Sequence, residues 1–183
     1  HCANIIEQVP GNIALFFPSY NLRDKISYHL ENQISHKKIF WEKQEMNKKE
    51  KEDLLKDFKQ HSFPGSTLLG VTGANFAEGI DFPGDLLKAV VVIGLPLGRP
   101  DLKTREMINY YDSKFGKGWS YAYTNPAMNK CIQSAGRCIR SEKDRGVIIY
   151  LEERFAWKNY FDCLPKEGLI VTKDYIPLLK KFF

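Results

Sequence analysis

Residues 129–140 (NKCIQSAGRCIR) carry the side chains best suited to phosphate chemistry. On a helix turning about 100° per residue, Gln133, Arg137 and Arg140 project from one face and Met128, Ile132, Ala135 and Ile139 from nearly the opposite one. Two guanidiniums and an amide would then point together from a helix whose back is buried. A guanidinium presents its donors as a fork that matches two phosphate oxygens. Gly136 removes a side chain beside them and lets a ligand approach. A solvated helix face is the competing reading, but a glycine inside a helix costs about 1 kcal/mol relative to alanine, and that cost favours a functional position.

Three further segments hold candidate chemistry. Residues 72–84 (TGANFAEGIDFPG) combine three glycines with Glu78 and Asp81 in a stretch otherwise apolar and small. Carboxylates there can accept from a sugar hydroxyl or an arginine, or cap a following helix. Neither GxGxxG nor the phosphate-binding GxxxxGK[ST] occurs in the chain. Pro18-Ser19-Tyr20 offers hydroxyls to a phosphate oxygen, or is an ordinary turn. Residues 114–123 (KFGKGWSYAY) interleave Lys114 and Lys117 with Phe115, Trp119, Tyr121 and Tyr123. Lysines can follow a nucleic-acid backbone while an aromatic such as Trp119 stacks on bases; packing in a core is the competing fate.

These segments need a scaffold, and the apolar pattern supplies one. Buried strands are expected at 12–17, closed by Pro18, and at 39–41, 67–71, 89–93 and 146–151. Leu22, Ile26, Leu30 and Ile34 mark a helix capped by Asn21 with Asp24. Asn47 and Glu50 open a charged helix with Leu54, Leu55 and Phe58 facing inward. Residues 61–66 read as a turn, and 104–115 as a helix. Asn125-Pro126 starts another helix, and helical pieces at 155–163 and 176–183 close the chain. Strands alternating with helices mean an α/β domain with a mainly parallel central sheet and right-handed crossovers. Ligands of such sheets bind beyond the carboxyl ends of the strands, where 18–20 and 72–84 lie.

Composition bounds the partners. The 183 residues, 43% hydrophobic, suffice for one compact domain, 1–183, and the 27% charged and 13% aromatic content excludes bulk disorder. No apolar run approaches a membrane span, and no signal segment opens the chain, so no membrane partner is expected. His1 in first position suggests a piece of a longer protein. The net charge of +5 lies in one third of the chain: residues 99–158 hold 12 basic and 7 acidic residues, and the rest holds 15 of each. An anionic partner such as nucleic acid or nucleotide phosphate fits that asymmetry. Cys2, Cys131, Cys138 and Cys163 form no CxxC pair, so no metal site is expected and the thiols read as reduced and cytosolic.

FFPSY, GANFAEGIDFPGD and QSAGRCIRSEKDRG, in that order, resemble the second motor domain of superfamily 2 helicases. EGIDFPG with the following GLPL (Gly94 to Leu97) is similar to the XPD group of iron–sulfur DNA helicases, to which bacterial DinG is related. QxxGRxxR is shared across the superfamily. The resemblance covers 12–155, and the lysine-rich composition with short loops points to an archaeal member. It implies a RecA-like three-layer domain and a role as half of a 5′-to-3′, ATP-driven DNA helicase motor in DNA repair. The absent first motor domain would hold the phosphate loop, the acidic motif for Mg2+ and a 4Fe–4S cluster.

On the same resemblance, Arg137 and Arg140 are arginine fingers toward ATP and Gln133 positions phosphate or the attacking water. Gly79 and Asp81, with Glu78 beside them, contact nucleotide. Ser19, Tyr20, Thr72 and Gly73 touch single-stranded DNA, and Arg154 joins them in LEERF, where relatives usually show Asp-x-Arg-Phe or Asp-x-Arg-Tyr. Glu152 takes that Asp place. Lys117 and Trp119 are added to the DNA contacts from their pattern alone. The expected partners are single-stranded DNA, the first motor domain and repair-complex proteins, in the cytoplasm at the nucleoid or, in a eukaryote, in the nucleus. A stand-alone nucleic-acid-binding or regulatory module is the alternative. A small nucleotide-metabolising enzyme is disfavoured, because no nucleophile–base pair stands out.

Overall fold

The computed structural model of the chain describes residues 1–78, 80, 82, 86–139 and 144–183. Five strands form one all-parallel sheet in the order β2-β3-β1-β4-β5, with β1 Ile13–Phe17, β2 Lys38–Trp41, β3 Ser66–Val71, β4 Ala89–Ile93 and β5 Val147–Leu151. The central β1 pairs on both sides, Leu15 standing opposite Leu69 in β3 and Val91 in β4. β1, β3 and β4 are buried at every position, as parallel strands covered on both faces are, and β1 and β4 read as apolar runs while β3 opens on the buried Ser66 and Thr67. The five expected strands are all present, within one residue of their expected bounds.

Side chains alternate between the two faces. Ala14, Phe16, Leu68 and Val90 pack with Phe58 of α3 (Lys48–Gln60) and with Met128 and Cys131 of α5 (Asn125–Ala135). Ile13, Leu15, Phe17, Leu69 and Val91 pack with Ile5 and Ile6 of α1 (Cys2–Gln8), Leu30 of α2 (Tyr20–Glu31) and Leu179 of α7 (Ile176–Phe182). The result is three layers, helix–sheet–helix. α4 (Leu102–Phe115) buries none of its residues, and the short α6 (Lys158–Phe161) follows a 3₁₀ turn at Glu153–Ala156. No helix among the described residues is long and apolar enough to cross a membrane.

Local chemistry departs from the sequence reading at three places. The cap of α2 is Ser19, whose Oγ accepts from Leu22 N at 3.2 Å; Asn21 lies inside the helix. α5 does not begin afresh at Asn125-Pro126. A π-helical turn, Ser120–Thr124, runs straight into it, Asn125 has helical angles (φ −62°, ψ −43°), and its N–H donates to Ser120 O. α5 ends at Ala135, with Gly136 as its C-cap, so Gly136 is not a helix-interior glycine. Arg137 and Ile139 lie beyond the helix, and Ile139 is exposed instead of forming part of a buried back. α1 carries no cap signal, and the sequence pattern does not predict it.

Candidate functional site

The carboxyl ends of the strands are stitched into one edge. Thr72 N, just after β3, donates to Phe17 O at the end of β1 at 2.8 Å. Glu42, one residue past β2, is fully buried and accepts from Val71 N at 3.0 Å, Asn75 N at 2.7 Å and the Tyr20 hydroxyl at 2.9 Å. Burial, then the hydrogen bond to Glu42, pushes the Tyr20 phenol well above its ordinary pKa. The Asn75 amide donates in turn to Lys43 O at 3.0 Å. Ser19 and Tyr20, two expected DNA contacts, thus already use their side-chain oxygens in a helix cap and on Glu42. Thr72 differs, because its Oγ1 is buried without a hydrogen-bond partner among the described residues. Gly73 faces α5: a Cβ there would sit 3.0 Å from Lys130 Cδ.

On the other side of β1, Glu152 follows β5 and reaches across to β4. Its Oε2 accepts from Leu95 N at 3.0 Å and from Arg154 Nη2 at 2.9 Å, and Arg154 Nε donates to its Oε1. That paired hydrogen bond, first among several causes, raises the Arg154 pKa. Gly94 admits the carboxylate, since it has a positive φ of 70° and a Cβ would lie 3.1 Å from Glu152 Oε2. Glu152 therefore has a definite task as a clamp between two strand ends, and Arg154 is turned onto it.

Arg137 is held between chain segments far apart in sequence. Its Nε donates to Ala77 O at 2.8 Å and its Nη1 to Ile80 O at 2.9 Å. The guanidinium therefore rides on the loop that carries Glu78, which is exposed. Gln133 is exposed on α5. Gly79, Asp81 and Arg140 lie outside the described residues. Lys117 and Trp119 join α4 to the π-helical turn. Lys117 is exposed, and Trp119, 58% exposed, meets the Tyr123 ring edge-on at 5.0 Å. The Tyr123 hydroxyl donates to Gly98 O in the loop after β4, which links this aromatic segment to the same edge. Phe115, Trp119 and Tyr121 are all exposed, so core packing does not explain them.

No group of three metal-ligating side chains forms among the described residues. Burial lifts the Cys131 thiol to about 12, which keeps it protonated at neutral pH. Glu42 and Arg23, which donates to the Glu42 carbonyl, belong to this edge and are missed by sequence reasoning. Glu42 opens the charged run EKQE and looks like the start of a solvated loop. Its position one residue beyond an apolar strand is the available signal.

Comparison with known proteins agrees on a single family. The helicase C-terminal domain family matches residues 2–168. A regulator of telomere elongation helicase 1 homolog from Oryza sativa subsp. japonica is 30% identical over 208 residues, covering 98% of this chain and 20% of that protein. The ATP-dependent DNA helicase DinG of Photobacterium profundum is 31% identical over 166 residues, covering 87% of this chain and 24% of that protein. This chain thus spans a fifth to a quarter of these relatives. A solved XPD helicase structure superposes with a TM-score of 0.65 at 26% identity, over 87% of this chain and 28% of that one.

Proposed function

This chain belongs to the helicase C-terminal domain family, and on that premise we propose that it is the second RecA-like half of an ATP-driven, 5′-to-3′ XPD-type DNA helicase motor. One observation carries the reading. Arg137 is tied to the Glu78 loop on the same sheet edge where Tyr20, Thr72 and Gly73 converge. A single edge can thus address both a nucleotide phosphate and a nucleic-acid strand.

ATP bound on a first motor domain would supply the phosphoryl group whose transfer to water drives movement. Arg137 and Arg140 neutralise negative charge on its outer phosphate from across the cleft, Gln133 orients the reacting groups, and Gly79, Asp81 and Glu78 relate nucleotide to strand. The guanidinium and amide donors suit phosphate oxygens. Mg2+ is assigned to the first motor domain, whose acidic motif would hold it. A 4Fe–4S cluster takes four cysteine thiolates, and no three such ligands gather among the described residues, so these residues do not fit one. Ser19, Tyr20, Thr72, Gly73, Arg154, Lys117 and Trp119 line the path of single-stranded DNA. The work is DNA repair alongside repair-complex proteins, at the nucleoid or in the nucleus.

The test is made in the intact helicase. Arg137→Ala should lower ATP turnover by about 10³-fold or more while ATP and single-strand binding persist. Arg140→Lys should also fail, because an ammonium cannot fork two oxygens. Unchanged turnover in Arg137→Ala would remove that residue from the reaction.

A further inference from the structure

We infer that Glu42 is the positioning residue of the strand-contact edge: one buried carboxylate sets both the Tyr20 ring and the loop that begins at Val71. The inference rests on the proposed DNA contact and adds a residue that the motifs do not contain.

The geometry is specific. Glu42 is fully buried and accepts three donors, and none of the three belongs to its own strand. Tyr20 opens α2 after β1, while Val71 and Asn75 bracket Thr72 and Gly73 after β3. The backbone carbonyl of Glu42 accepts from Arg23 Nη1, and the Arg23 guanidinium lies 4.9 Å from the Tyr20 ring centroid. The Tyr20 ring is therefore held from two sides, by its hydroxyl and over its face. Gly70 makes room for the carboxylate, since a Cβ there would come within 2.8 Å of Glu42 Oε2.

Stability alone does not call for this arrangement. A buried ionised group loses hydration, and a well-packed apolar side chain often serves as well. What a carboxylate adds is direction: two oxygens fix two amides and one phenol at once, and those groups belong to the two segments expected to meet the strand. A chemical consequence follows for Tyr20. With its hydroxyl hydrogen already donated to Glu42, it offers no donor to a phosphate, and we assign its contact with a strand to the ring.

The test uses this chain, labelled oligo(dT), and hydrogen exchange of residues 71–78 on the same samples. Glu42→Gln keeps the shape but turns one acceptor into a donor. It should remain folded, speed exchange across 71–78 while sparing β1, and bind oligo(dT) about tenfold more weakly. Tyr20→Phe, which keeps the ring, should lose less affinity than Tyr20→Ala. Equal affinity of Glu42→Gln and the parent chain, or unchanged exchange at 71–78, would overturn the inference while the DNA reading stands. A parent chain that binds no oligo(dT) would overturn both before any variant is made. If Glu42→Gln fails to fold, Tyr20→Phe and Tyr20→Ala decide: a larger loss from Tyr20→Phe would overturn the ring contact, and the expected order would support it.

Discussion

Thr72 and Arg137 carry opposite hydrogen-bond states into the same edge. Arg137 has two donors engaged on Ala77 O and Ile80 O, whereas Thr72 Oγ1 is buried and has no partner among the described residues. A buried hydroxyl without a partner lowers stability, and replacing it by an apolar group of the same shape is close to neutral or stabilising. Thr72→Val should therefore melt at the same temperature as the parent chain or higher, by up to about 1 kcal/mol in stability. If the strand is the partner for which that hydroxyl is kept, the same variant should bind single-stranded DNA severalfold more weakly. Thermal melts and DNA titrations read the two effects separately, and a large loss of stability would mean that the hydroxyl already has a structural role. The sequence draws attention to Thr72 through the glycines around it. The Ser19 cap of α2 is a local bond three residues long and lies within the sequence's reach, but the sequence cannot reveal that the Tyr20 hydroxyl belongs to Glu42, because the fold alone brings that carboxylate near.

The legibility of the elements divides along physical lines. β1 and β4 are plain because parallel strands covered on both faces must be apolar throughout. The capping box of Asn47 and Glu50 is equally plain, because it is a local interaction written in residues three apart. The arginine segment reads wrongly as one long helix. Its 3.6-residue periodicity continues past Ala135, but the Gly136–Cys138 turn breaks the helix and directs Arg137 onto the Glu78 loop. Periodicity cannot see that tertiary preference. The contact between β4 and β5 offers the sharpest test at this scale. Gly94→Ala places a side chain at φ 70° and within 3.1 Å of Glu152 Oε2. It should destabilise the chain by about 1–2 kcal/mol and loosen Leu95 and Arg154. Asn47→Ala, far from the edge, should lower stability by about 1 kcal/mol with no change in DNA affinity. Melting curves of both variants with matched DNA titrations separate a site effect from a general one.

At the scale of the molecule, the all-parallel pairing of the strands β2-β3-β1-β4-β5 brings their carboxyl ends to one side. Both the network around Glu42 and the clamp at Glu152 hold loops at that side, as expected of a surface that must keep its shape while a partner moves across it. An interface built on lysines and arginines facing phosphates releases counterions, so its affinity falls linearly with salt on logarithmic axes. Fluorescence anisotropy of labelled single-stranded DNA with this chain, across a salt series, measures that slope directly. Weak binding that drops steeply as salt rises, and drops further in Trp119→Ala, is the expected result. Absence of binding at the lowest salt, or binding indifferent to both salt and Trp119, would contradict the strand-tracking role proposed for this chain.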